Sequence, residues 1–149
     1  KLKNNCITYS KINHTLDRYP VAYLPKDQSL YLPSRKIVKS SKIYIDKVTT
    51  AKILNKEVDP LKEAFLSNTE GTILVRSKQD GDRYQPLGMK SPKKVGKMMT
   101  DKKWSKERKK KTPMFLNKKG EIIWIPGFPP HDSLKVDDNS ERVIHLTYD

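Results

Sequence analysis

Residues 81–111, GDRYQPLGMKSPKKVGKMMTDKKWSKERKKK, open with a tight turn at Gly81-Asp82-Arg83 and break again at Pro86-Leu87-Gly88. A basic segment follows. Ser91 is a good helix N-cap and Pro92 suits the first helical position, where its missing N–H costs nothing. Val95, Met98 and Met99 then stand at i, i+3 and i+4, a single narrow apolar stripe that predicts a helix lying on a core. Asp101-Lys102-Lys103 interrupts it, and Ser105 caps a second short helix running to about Lys111. Thr112-Pro113 ends that helix, because a residue before proline is pushed out of the α region.

Upstream, Thr72-Ile73-Leu74-Val75-Arg76 is a continuous apolar run closed by a charge, the pattern of a strand buried on both faces. Downstream, Met114-Phe115-Leu116 and Glu121-Ile122-Ile123-Trp124-Ile125 flank Asn117-Lys118-Lys119-Gly120 and predict a hairpin. Trp124, between two isoleucines, reads as a core residue. Residues 131–141 are a polar, acidic surface loop. Residues 142–148 alternate, with Val143, His145 and Thr147 on one face and Ile144, Leu146 and Tyr148 on the other, as in a closing strand.

The first seventy residues read as short β segments. Cys6 to Tyr9 is one candidate strand. Val21–Leu24 and Leu30–Leu32 flank a five-residue break of hairpin length, with Pro25 and Pro33 arguing for edge strands. In Lys36–Ile45, Ile37, Ile43 and Ile45 are the expected inward positions. Val48–Leu54 suits either strand or helix, whereas Asp59-Pro60 predicts a short helix through Leu61, Ala64, Phe65 and Leu66. The break at residues 67–71 divides a β-rich part, 1–70, from a second part, 71–149.

Charge narrows the function. Between Lys90 and Lys111 stand eleven Lys or Arg and two acids, +9 of the chain's formal +14 in 22 of its 149 residues. Residues 1–70 carry +6, evenly spread. So local a concentration of cations calls for a polyanion, and RNA heads the candidates; a merely solvated surface is the bland alternative. Arg83, Lys93, Lys94, Lys97, Lys102, Lys103 and Arg108 are the expected contacts. Trp104, set among them, either stacks on a base or anchors the corner between the two helices. An anionic membrane is a poor fit, since no run of 18 apolar residues exists.

Catalytic signatures are missing. Neither G-x-G-x-x-G, G-x-x-x-x-G-K-[ST] nor a pyrophosphate loop of the S-G-G type is found. His14, His131 and His145 lie far apart, and Cys6 alone supports neither a disulfide nor a thiolate cluster. Asp82 reads as a turn residue capping its own backbone. No catalytic or metal residue is expected, and a reducing compartment, the cytoplasm, is the expected setting. No signal peptide is evident, and a start at Lys1 suggests a piece of a longer protein.

The order LVRSKQDGDRYQPLG, KKVGKMMTDKKWSKERKKKTPMFL, GEIIWIPG resembles the C-terminal domain of bacterial tRNA(Ile)-lysidine synthetase. Arg76, Gly81, Asp82, Arg83, Pro86, Gly88, Lys94, Asp101, Lys103, Arg108, Pro113, Trp124, Pro126 and Gly127 match that pattern in order. Trp104-Ser105 departs from the family's usual aliphatic-proline pair, Gly96 interrupts the helix, and Arg108 to Pro113 is one residue longer. The resemblance implies an α+β fold of sandwiched sheets with short helices, shared with a domain of the phenylalanyl-tRNA synthetase β chain. It implies a ligase that modifies tRNA, adenylating the wobble cytidine of the isoleucine tRNA with a CAU anticodon and attaching lysine. ATP would bind a covalently attached N-terminal catalytic domain outside this chain, which itself needs no cofactor and grips the acceptor stem. Rival readings are a stand-alone RNA- or ribosome-binding module and, less well supported, a domain for an acidic protein partner. Homodimerisation is left open.

Overall fold

The structure is a computed structural model that describes residues 21–67 and 72–149. The candidate strand at Cys6–Tyr9, Cys6 itself, His14 and residues 68–71 of the expected break lie outside the described residues. In chain order the elements are β1 (Ala22–Leu24), β2 (Ser29–Tyr31), β3 (Ile37–Tyr44), α1 (Lys47–Leu54), β4 (Glu63–Leu66), β5 (Ile73–Ser77), β6 (Arg83–Tyr84), β7 (Lys93–Lys94), α2 (Val95–Asp101), α3 (Lys106–Lys111), β8 (Pro113–Leu116), β9 (Ile122–Trp124) and β10 (Arg142–Tyr148), with a 3-10 turn at Asp132–Leu134.

Two antiparallel four-stranded sheets carry the α+β fold, ordered β1-β5-β8-β9 and β2-β3-β10-β4. Their facing sides share one core: Leu24, Ile73, Val75, Phe115, Ile123 and Trp124 from the first, Val38, Ala64, Leu66, Ile144 and Leu146 from the second. The period-2 alternation of a strand leaves each sheet a second face to cover. On the outside of the first sheet, Met114, Leu116 and Ile122 meet Val95, Met98 and Met99 of α2. On the outside of the second, Phe65 and Val143 pack with Val136, Ile43, Ile45 and Ile53, the last from α1. An extra residue in β9 shifts its register against Phe115 and Leu116, which turns both Ile123 and Trp124 into the inter-sheet core.

The expected strands at 73–77 and 142–148, the hairpin at 113–124 and the helix capped by Ser105 are present. Asn117 earns its place at the hairpin turn by accepting from the N–H groups of Lys119 and Glu121, both at 3.0 Å, while Gly120 takes φ 84°. Four expectations are corrected. Val21–Leu24 and Leu30–Leu32 do not pair; the break between them carries the chain from one sheet to the other, and both β1 and β2 are edge strands. Leu30 pairs instead with Val38, making β2–β3 the hairpin. In β3 the inter-sheet positions are Val38 and Ser40, and Ile43 and Ile45 face the outer layer.

The third correction concerns Asp59-Pro60. Asp59 does start a turn, accepting from Leu61 N–H at 2.9 Å, but Glu63–Leu66 then pairs with β10 as a strand. Helical spacing would have left part of Ala64-Phe65-Leu66 in water, whereas as a strand all three are buried between two packed faces. The fourth concerns Ser91-Pro92, after which Lys93-Lys94 first pairs with Arg83-Tyr84 and the helix begins only at Val95. The 47–54 stretch resolves as helix, with the Asp46 carboxylate accepting from Thr49 N–H at 2.7 Å. Strands from both sides of residue 70 share both sheets: β1 pairs with β5, and β10 lies between β3 and β4.

Candidate nucleic-acid interface

The basic layer hangs from β5 through one ion pair. Arg76 and Asp82 are both nearly buried, and the guanidinium meets the carboxylate in two hydrogen bonds of 2.9 Å. Arg76 also donates to the Ser77 carbonyl at 3.0 Å, and Asp82 accepts from Gln79 N–H at 2.8 Å. The Asp82 carbonyl then takes the first N–H of α2, that of Val95, at 2.9 Å. One residue thus joins the core strand, the Gly81 turn and the helix start, which goes beyond the backbone-capping role read from sequence.

Next to it the β6–β7 ribbon sets Arg83 opposite Lys94 and Tyr84 opposite Lys93. Tyr84 points inward, fully buried, and its hydroxyl donates to the Pro129 carbonyl. Burial pushes its pKa well above the usual tyrosine value. Arg83 and Lys94 remain outside, two like charges directly across a strand pair, an arrangement that costs stability unless an anion neutralises it. Lys97 projects from α2 and makes an exposed ion pair with Asp101 at 3.5 Å.

At the corner between α2 and α3 the chain turns through Lys102 and Lys103, the latter in the left-handed region at φ 61°. Trp104 belongs to the core: it is 8% exposed, tilted against Phe128 at 5.3 Å, with the Arg108 guanidinium 3.8 Å over its ring. Its anchoring role therefore holds, and its ring is covered by protein rather than offered to a base. Lys102 lies 4.9 Å over Phe128. In α3, Glu107 is held below its ordinary carboxylate pKa by the hydrogen bond from Lys111 and then by that lysine's charge.

Arg83, Lys93, Lys94, Lys97, Lys102, Lys103 and Arg108 are all exposed and all belong to the layer outside the first sheet. The expected list omits four further cations there: Lys78, Lys106, Lys109 and Lys110 line one depression. The i, i+3, i+4 spacing of the last three was a readable signal. Among the described residues no group of three or more His, Cys, Asp or Glu could hold a metal ion. His145 is a packed strand residue, stacked on Phe65 at 4.4 Å and 2.8 Å from the Glu63 carboxylate. No helix among the described residues is long and apolar enough to cross a membrane.

A family model, the TilS substrate C-terminal domain, matches residues 73–146. The tRNA(Ile)-lysidine synthase of Caldanaerobacter subterraneus subsp. tengcongensis is 37% identical over 79 residues, 53% of this chain and 17% of that protein. That of Clostridium perfringens is 36% identical over 91 residues, 58% of this chain and 19% of the other. The Bacillus subtilis synthase is 34% identical over 74 residues, covering 48% and 16%. The match thus takes in less than a fifth of those relatives' length. In fold, a crystal structure of a TILS C-terminal domain superposes with a TM-score of 0.67 at 20% identity, over 87% of this chain and 96% of that one. Through residues 73–146, this chain belongs to the TilS substrate C-terminal domain family.

Proposed function

We propose that this chain is the tRNA-gripping C-terminal part of a tRNA(Ile)-lysidine synthase, a cytoplasmic ligase that uses ATP to attach lysine to the wobble cytidine of the CAU-anticodon isoleucine tRNA. The names of its relatives support the reaction class. One observation carries the grip. Across the layer outside the first sheet, three acids are already engaged, Asp82 with Arg76, Asp101 with Lys97 and Glu107 with Lys111, and Asp80 is exposed in the turn after β5. Among the described residues no ion pair engages Arg83 or Lys94, and an A-form RNA stem offers phosphates to such a surface.

The match takes in only 17% and 19% of two of the synthases it resembles, and the reading leaves the ATP-dependent steps to a covalently attached catalytic domain. The role of this chain is then to bind and orient the acceptor stem. Titrating the 149-residue chain with isoleucine tRNA bearing a CAU anticodon, against a methionine tRNA, tests the reading. Tighter binding of the isoleucine tRNA is expected. Equal affinity for both would favour a general RNA-binding module, and no binding to either would end the proposal.

A further inference from the structure

Lys78, Lys106, Lys109 and Lys110 surround a basin of about 150 Å³, and no carboxylate is among its lining residues. Three segments build it. Lys106, Lys109 and Lys110 share one face of α3 through their i, i+3, i+4 spacing. Lys78 comes from the turn after β5 and lies along α2 at Gly96, its Cε and Nζ 3.6 Å from where a Cβ at that position would stand. The Lys109 ammonium is aimed rather than free to swing: it donates to Thr100 Oγ1 at 2.6 Å, and the Thr100 hydroxyl donates to the Gly96 carbonyl at 2.9 Å.

Of the nearby acids, Glu107 is engaged by Lys111 and Asp101 by Lys97, while Asp80, two residues from Lys78, does not line the basin. Four ammonium groups, each with three donors and no acceptor, suit an oxyanion bearing unbridged oxygens. We infer that this basin seats a backbone phosphate of the bound RNA and fixes the register of the strand on the domain. The inference rests on the RNA-gripping reading above and adds an anchor distinct from the β6–β7 ribbon. A side chain at Gly96, a departure from the family's helix pattern, would lie in ordinary contact with Lys78 at 3.6 Å, so this position can be used to alter the charge beside it.

The test measures RNA affinity of the 149-residue chain against salt. Replacing Lys106, Lys109 and Lys110 together by Gln should flatten the slope of log K on log salt by about 0.7–0.9 units, the loss of one phosphate contact. The melting curve should not move, and the triple Arg variant should keep the original slope. Gly96→Glu, which sets a carboxylate beside Lys78, should also weaken RNA binding without lowering the melting temperature. An unchanged slope in the Gln variant, with the unaltered chain binding normally, would overturn the basin alone. Failure of the unaltered chain to bind RNA would overturn the RNA reading itself. Adding inorganic phosphate at matched ionic strength should leave RNA affinity within about twofold, the matched salt removing the counterion effect. Strong competition would assign the basin to free phosphate instead.

Discussion

Arg76 and Asp82 hold each other through two hydrogen bonds of 2.9 Å, from the end of β5 to the turn that launches the basic layer. Removing one member leaves the other charged and nearly out of water. Asp82→Ala should therefore cost about 3–5 kcal/mol, the range for breaking a buried pair. Arg76→Lys should recover only part of a similar loss, since an ammonium cannot reproduce the fork. Urea melts measure both, and a cost below about 1 kcal/mol for Asp82→Ala would mean the turn does not depend on the pair.

Gly127 stands at φ 101°, and a Cβ built there would come within 2.6 Å of the Trp104 ring. Gly127→Ala should destabilise by about 1–3 kcal/mol, combining overpacking with a backbone that L residues avoid. Because the strain falls on Trp104, its fluorescence should change along with the melting temperature. A neutral substitution would show that the corner yields easily.

Trp124 is fully buried, rests on Phe115 at 4.8 Å and donates from its indole N–H to the Phe128 carbonyl at 3.0 Å. Trp124→Ala should cost about 3–5 kcal/mol in denaturant unfolding. The loss should exceed that from any exposed lysine substitution.

Tyr84 gives the fold an alkaline limit. Its pKa is raised by burial in the folded state, so its contribution is fully present below the unfolded value of 10.0 and fades as pH rises beyond it. The melting temperature should fall above that pH, with Tyr84 ionising only as the chain unfolds, visible as tyrosinate absorbance. In Tyr84→Phe the alkaline decline should be shallower, at a neutral-pH cost of about 1–3 kcal/mol for the orphaned carbonyl contact.

For RNA binding, the two outer layers make a natural comparison. Replacing Lys93, Lys94 and Lys97 by Ala should flatten the salt slope by about 2–3 units. The same change at Lys39, Lys47 and Lys52, on β3 and α1 outside the second sheet, should alter it little. Equal effects would indicate diffuse charge rather than a docking surface.

What the sequence made legible was local. The stripe of Val95, Met98 and Met99, the Ser105 cap, the Asn117–Gly120 turn and the alternation of 142–148 each depend on residues within a few positions of one another. The failures involve partners far away in the chain. Ala64-Phe65-Leu66 becomes a strand because β10 arrives some eighty residues later to pair with it. Lys93 and Lys94 are extended because Arg83 and Tyr84 hold them, which overrides a good Ser-Pro cap. At the candidate site, composition identified the basic segment, but which cations share a basin depended on the crossing of α2, α3 and the turn after β5.

The position of β10 has a bearing on how the molecule is made. It lies between β3 and β4, and among the described residues no other strand joins those two. During synthesis the second sheet therefore has no centre until residues 142–148 have left the ribosome. Its main pairing, Tyr44 with Arg142 through Val38 with Tyr148, links positions about a hundred residues apart, a long loop to close and a slow step. Until that moment β4 must wait with Phe65 and Leu66 uncovered. Strand β10 is thus the one that completes the second sheet, and a nascent chain stalled just before it would present sticky, half-finished edges to the cell.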